Sequence, residues 1–230
     1  MNTLTWIFAG LLAVVYFLFI FGTIKEINIM GKISRAFIMP FSAAIVILFL
    51  NQYLPLTRHI MFLSIIALSL CSLSQILFIF SNIKSLNLIG RLFFFLSLMP
   101  WIELYITTFH LYKIPTWIYI VCGTIYAILL ILTLIFTGKN KFSVYLYITI
   151  AFTTAVLLNF SSIVSLINDF RLNYGLLTGG SLIILFAICA YGKQTTKPVK
   201  INKKLETILG ITIITLAECL ISTSGLLMVI

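Results

Sequence analysis

Apolar residues fall into eight long runs, separated by short polar interruptions. The runs cover roughly Leu4 to Thr23, Ala36 to Leu54, Ile60 to Phe80, Leu88 to Phe109, Thr116 to Thr137, Phe142 to Ile167, Tyr174 to Tyr191 and Leu205 to Ile230. Each is near the ~20 residues that a helix needs to cross a hydrocarbon core. Lipid cannot satisfy bare backbone N–H and C=O groups, and a barrel would need shorter, alternating strands. The pattern therefore predicts an all-α integral membrane protein, a bundle of about eight transmembrane helices forming one polytopic domain over residues 1–230. The fourth run is unusual because Arg91, Pro100 and Glu103 all lie within it. Pro100 removes a backbone donor and crowds the carbonyl of Leu96, so a bend is expected there, turning Glu103 toward the interior.

Composition strengthens this picture. Apolar residues make up 62% of the chain and charged ones 9%, with a mean hydropathy of +1.20. A soluble domain is nearer half apolar and a quarter charged, so no soluble domain is expected. The net charge of +10 is spread between the apolar runs and not gathered on one face, which favours anionic lipid headgroups over nucleic acid as the counter-charge. With their flanking helix ends, the odd-numbered connections hold twelve of the basic residues: Lys25, Lys32, Arg35, Lys84, Arg91, Lys139, Lys141, Lys193, Lys197, Lys200, Lys203 and Lys204. The even-numbered ones hold three, Arg58, Lys113 and Arg171. By the positive-inside rule the odd connections face the cytoplasm and both termini face outward. The richness in Ile, Phe, Asn and Lys suits a bacterial cytoplasmic membrane. The Lys193 to Lys204 loop reads first as a topogenic signal, and second as a headgroup or partner contact. No basic residue precedes the first run and no small-residue cleavage site follows it, so no cleavable signal is expected.

Little of the sequence carries chemistry. Cys71, Cys122, Cys189 and Cys219 lie far apart in apolar runs, which argues against a disulfide framework or a zinc site. His59 and His110 fall in separate loops, and no phosphate loop, GxSxG or HExxH motif is present, so neither a metal nor a cofactor is expected. Of the five carboxylates, Glu26, Asp169 and Glu206 sit at run ends beside basic residues. Glu103 and Glu218 lie some 15 and 13 residues inside their runs. A carboxylate at that depth costs a few kcal/mol unless it is paired, protonated or facing water, which makes both functional candidates. Gln75, Ser74 and Asn159 are candidate ligand-binding residues, and Asn51, Gln52, Ser161 and Ser162 could line the same interior. Interhelical hydrogen bonding is the competing explanation for all of them.

Several segments together resemble the YhhN family, the lysoplasmalogenases. Arg35-Ala36-Phe37-Ile38-Met39-Pro40 is similar to the family's K-P-L-x-M-P start to the second span. Ser74-Gln75 and Gly90 fall where the family has a Gly-Asp pair and a following glycine. Gly179-Gly180-Ser181-Leu182-Ile183-Ile184 resembles the opening of the seventh span, and Ala217-Glu218-Cys219-Leu220-Ile221 the A-Q-x-L-I of the last. The resemblance runs over nearly the whole chain and implies an eight-span fold acting on the vinyl-ether bond of lysoplasmalogens.

The departures shape the functional expectation. The resemblance implies two catalytic aspartates, but Gln75 stands at the first position and Ala187, beside Phe186, at about the second; the family's fourth-span histidine falls near Leu96 or Pro100. Vinyl-ether cleavage needs an acid to protonate the alkene carbon and a group to stabilise the resulting oxocarbenium. The preferred expectation is a non-catalytic relative that binds a lipid or amphiphile, such as a lysophospholipid, among its helices or serves a membrane protein partner. The alternative is an active hydrolase that uses Glu103 and Glu218 as a rebuilt acid pair. A small transporter would need inverted repeats, and the two halves show no convincing similarity.

Overall fold

The structure, a computed structural model, describes residues 3–53, 58–80, 83–109, 115–137, 142–169, 177–183 and 203–224. Among these there is no strand. The helices are α1 (Thr3–Ile24), α2 (Asn28–Asn51), α3 (Arg58–Ile79), α4 (Lys84–Phe109), α5 (Thr116–Thr137), α6 (Phe142–Asp169), α7 over residues 177–183, and α8 (Lys203–Ser224). Six of them, α1 to α5 and α8, are long and apolar enough to cross a membrane, and α6 contains the shorter apolar stretch Ile148–Val164. The least buried spans, α1 and α5, present Phe17 and Ile135 at 66% exposure each. Surfaces this apolar are stable only against hydrocarbon, so the protein is an all-α membrane protein. Residues 186, 187 and 189, His110 and the connection 193–202 lie outside the described residues.

The chain divides into two compact units, Met1–Trp101 with Ser222–Ile230, and Ile102–Ile221. In the first, α1 and α2 form a tight hairpin. Glu26 takes a left-handed φ of 62°, and the Ile27 N–H donates back to the Gly22 carbonyl at 2.9 Å. That six-to-one bond is the mark of a Schellman-type helix ending, in which glycine usually holds the left-handed position. The chain reverses at once, so α2 begins at Asn28 and not near Ala36 as its apolar run implies. Nothing from Asn28 to Arg35 breaks a helix, and exposed Lys32 can lie along an apolar surface with its ammonium in water. Continuing the helix satisfies backbone groups that a loop at this depth would leave bare.

Buried positions on α3 recur three and four residues apart, through Ile60, Leu63, Ser64, Ala67, Leu68, Cys71, Ser74 and Gln75. This is the stripe of a helix with one packed side. The packed side of α2 runs through Ile38, Met39, Ser42, Val46 and Leu50. On α4, Phe94, Ser97, Leu98 and Trp101 are fully buried, whereas Leu88, Leu92, Leu96 and Met99 form the exposed row. The helix continues through Pro100.

In the second unit, Ile118 of α5 packs with Phe160 and Val164 of α6, and Cys122 lies against them. The rings of Tyr119 and Phe160 are 5.3 Å apart. Through its paired glycines α7 meets two helices. A Cβ on Gly179 would lie 2.7 Å from Ile221 Cγ1 and 3.2 Å from the Ala217 carbonyl oxygen, both on α8. A Cβ on Gly180 would lie 2.9 Å from the Ala155 carbonyl oxygen on α6. Small residues let membrane helices approach backbone to backbone, where dispersion and not the hydrophobic effect holds them.

Candidate functional site

Polar side chains are buried or half-buried in both units, Arg35 being half-buried. In the first, α2 supplies Arg35 and α3 supplies Ser74 and Gln75. Gln75 is 3% exposed, and its Oε1 accepts a hydrogen bond from Arg35 Nη2 at 3.2 Å. Ser74 is fully buried, and its Oγ has no hydrogen-bond partner among the described residues. The Nε–H of Arg35 is likewise buried without an acceptor among them. The running apolar pattern places Arg35 at the edge of the second run as a topogenic charge. Its inward role is visible only once α2 is seen to start at Asn28, which puts Arg35 on a helix face turned toward α3.

In the second unit, Asn159 of α6 is buried and its side chain lies close to the Tyr126 hydroxyl of α5. Its Oδ1 lies where a Cβ on Gly180 would come within 2.7 Å, and it has no hydrogen-bond partner among the described residues. The glycine pair of α7 thus touches α6 at Ala155 and Asn159 with one residue and α8 at Ala217 and Ile221 with the next. Glu218 follows Ala217 and is fully buried. Thr215, three residues before it and so on the same side of α8, is buried with an unpartnered Oγ1 among the described residues. Ser161 and Ser162 are also buried. Asn159 thus lies against α7, while Thr215 and Glu218 share a buried side of α8, the helix that meets α7 through Ala217 and Ile221.

Two sequence expectations need correction. Glu103 is not turned inward but exposed, because it continues the outward row of α4 through Leu92, Leu96 and Met99. Trp101, two residues earlier and some 200° round the helix, takes the inward position. Pro100 does not alter that phase. Asn51 and Gln52 are exposed at the end of α2 and line no interior. Of the proposed ligand-binding residues, Gln75 and Ser74 belong to the first unit and Asn159 to the second, and all three are buried.

Among the described residues, no three His, Cys, Asp or Glu side chains are grouped as metal ligands would be. The polar interiors offer hydroxyl, amide, carboxyl and guanidinium groups within apolar walls. Such groups can hydrogen-bond across helices or to a polar ligand. No family model, curated protein or solved structure matches the chain.

Proposed function

We propose that the protein is a YhhN-like membrane protein that binds a lipid or other amphiphile among its helices and does not hydrolyse it. The observation that carries this reading is the contrast between the two deep carboxyl groups: Glu218 is fully buried among packed helices, whereas Glu103 stands on an exposed row. Vinyl-ether cleavage asks for a proton donor and a charge-stabilising group acting on the same bond. One enclosed carboxyl, on the same side of α8 as Thr215, offers hydrogen bonds to a hydroxylated headgroup or backbone, such as that of a lysophospholipid, without supplying that pair. A further membrane protein could share the same exposed helices as a partner. The apolar helices support a membrane location; the Lys and Arg distribution favours a reading in which the odd-numbered connections face the cytoplasm, and the composition suits a bacterial cytoplasmic membrane.

The test is to purify the full chain in a neutral detergent and identify retained lipid by mass spectrometry, then incubate it with lysophospholipids and lysoplasmalogens and assay for aldehyde. Retained amphiphile that is kept in Glu218→Gln but lost in Glu218→Leu, with no aldehyde released, is the expected result. Aldehyde formation that depends on Glu218 would instead identify an active hydrolase. Absence of retained lipid in the wild type would remove the binding reading.

A further inference from the structure

Arg35 combines properties that conflict in a membrane helix. It lies seven residues inside α2, roughly 10 Å along the axis at 1.5 Å per residue. Its guanidinium is permanently charged and has five N–H donors. Among the described residues, one of these goes to the neutral Gln75 Oε1 at 3.2 Å, the Nε–H is buried with no acceptor, and no carboxylate pairs with it. A half-buried cation without a counter-charge is unfavourable, and leaving a buried donor unmet adds to the cost. Ser74, next to Gln75, contributes another buried hydroxyl without a partner among the described residues.

The depth indicates what completes the arrangement. Gln75 lies four residues before the end of α3, roughly 6 Å from it. It meets Arg35 near the start of α2, so both stand close to one end of an antiparallel helix pair. That depth corresponds to the boundary of headgroups and acyl chains, a layer some 5–7 Å thick on each side of the hydrocarbon core. Lys25 and Lys32 are exposed at the same end, and Glu26 is the one acidic residue between Lys25 and Arg35. Guanidinium is planar and matches oxoanions two oxygens at a time, and the dominant oxoanion at that depth is phosphate.

We propose that Arg35, oriented by Gln75, binds one phosphate group, either that of a phospholipid headgroup or free phosphate. Arg35 carries the charge and the donor fork, while the Gln75 carbonyl fixes the guanidinium without neutralising it. A carboxylate in place of Gln75 would close the site by pairing with Arg35 from within. The proposal concerns the first unit alone and stands whether or not Glu218 handles an amphiphile.

The experiment follows thermal unfolding of the full chain in a neutral detergent at fixed ionic strength. The three probes are inorganic phosphate, dihexanoyl phosphatidic acid and dihexanoylglycerol, which lacks the phosphate. The wild type should be stabilised by at least one phosphate-bearing probe and not by dihexanoylglycerol. Half-saturation by phosphatidic acid at about a tenfold lower concentration than by inorganic phosphate identifies the headgroup as the source; comparable concentrations identify free phosphate. Arg35→Gln should abolish the response, and Arg35→Lys should weaken it by about tenfold through loss of the fork. Gln75→Glu should abolish it too while raising the midpoint in the absence of any probe, so the site is tested even if Arg35→Gln fails to fold. An equal response in the wild type and Gln75→Glu, or no phosphate-dependent response in the wild type, overturns the proposal.

Discussion

Gly22 of α1 faces Gly31 of α2 so closely that a Cβ built on Gly22 would lie 2.7 Å from the Gly31 backbone nitrogen and 3.1 Å from its Cα. The reverse is not true, because a Cβ on Gly31 meets its nearest atoms at 3.6 Å, an ordinary contact. Gly22→Ala must therefore push backbone against backbone, whereas Gly31→Ala fits. The first substitution should destabilise by about 1–3 kcal/mol, the usual range for overpacking. The second should be neutral or slightly stabilising, since alanine favours helix. Thermal melts of the two variants in one detergent check the asymmetry, and equal losses would show that the hairpin does not cross at these glycines.

The turn beside that crossing holds a residue in a conformation that suits glycine. Glu26, at φ 62°, carries a Cβ in the left-handed region, which costs an L-residue about 1 kcal/mol. Glu26→Gly is expected to raise the melting midpoint and Glu26→Val to lower it, because a β-branched side chain tolerates this region least. The sign of the two shifts, measured side by side, is the readout.

A similar contrast separates the glycines of α7. At Gly180 an added Cβ would meet the Ala155 backbone oxygen at 2.9 Å as well as Asn159 Oδ1, and backbone cannot step aside. At Gly179 the closest atom is Cγ1 of the Ile221 side chain, which can rotate some 30° off its rotamer at a cost of order 0.5–1.5 kcal/mol. Gly180→Ala should therefore be the more damaging of the pair in a thermal melt, and it should also displace the Asn159 side chain from Tyr126. Tyrosine fluorescence in a tryptophan-free background would report that disturbance.

Position on the helix should decide how the two deep glutamates tolerate change. Glu103 continues an exposed row, so Glu103→Gln, which keeps a polar side chain of the same shape, is expected to disturb stability less than Glu218→Leu. Glu218 is enclosed, and Glu218→Leu should cost more than Glu218→Gln, because only the amide can retain hydrogen bonds to its surroundings; lost interhelical polar contacts in membranes average about 0.6 kcal/mol. A ranking in which Glu103 is the more sensitive position would contradict the assignment of faces on α4 and α8.

Orientation can be tested independently of the fold. A cysteine placed between Lys193 and Lys204, in a background lacking the native cysteines, should react with a membrane-impermeant thiol reagent only after cells are opened. Labelling in intact cells would reverse the topology.

The membrane class and the helical form were legible in the sequence because they follow from bulk properties. Long apolar runs have no stable home in water, and in lipid each run must satisfy its own backbone. The starts and ends of α1, α3, α5 and α6 fall within a few residues of their apolar runs for that reason. What the sequence could not settle is which side of each helix faces protein. In a soluble helix the polar face marks the outside, but here lipid and core are equally apolar, so that contrast is absent along most of α1, α4 and α5. A bend at Pro100 would turn Glu103 inward, yet packing of Phe94, Ser97, Leu98 and Trp101 leaves it outward. Arg35 reads as a loop charge, yet it reaches Gln75 forty residues away, because the hairpin at Glu26 lets α2 begin early and the α2 to α3 packing sets their register. Such pairings are decided by how helices approach one another, and only the tertiary structure holds that information.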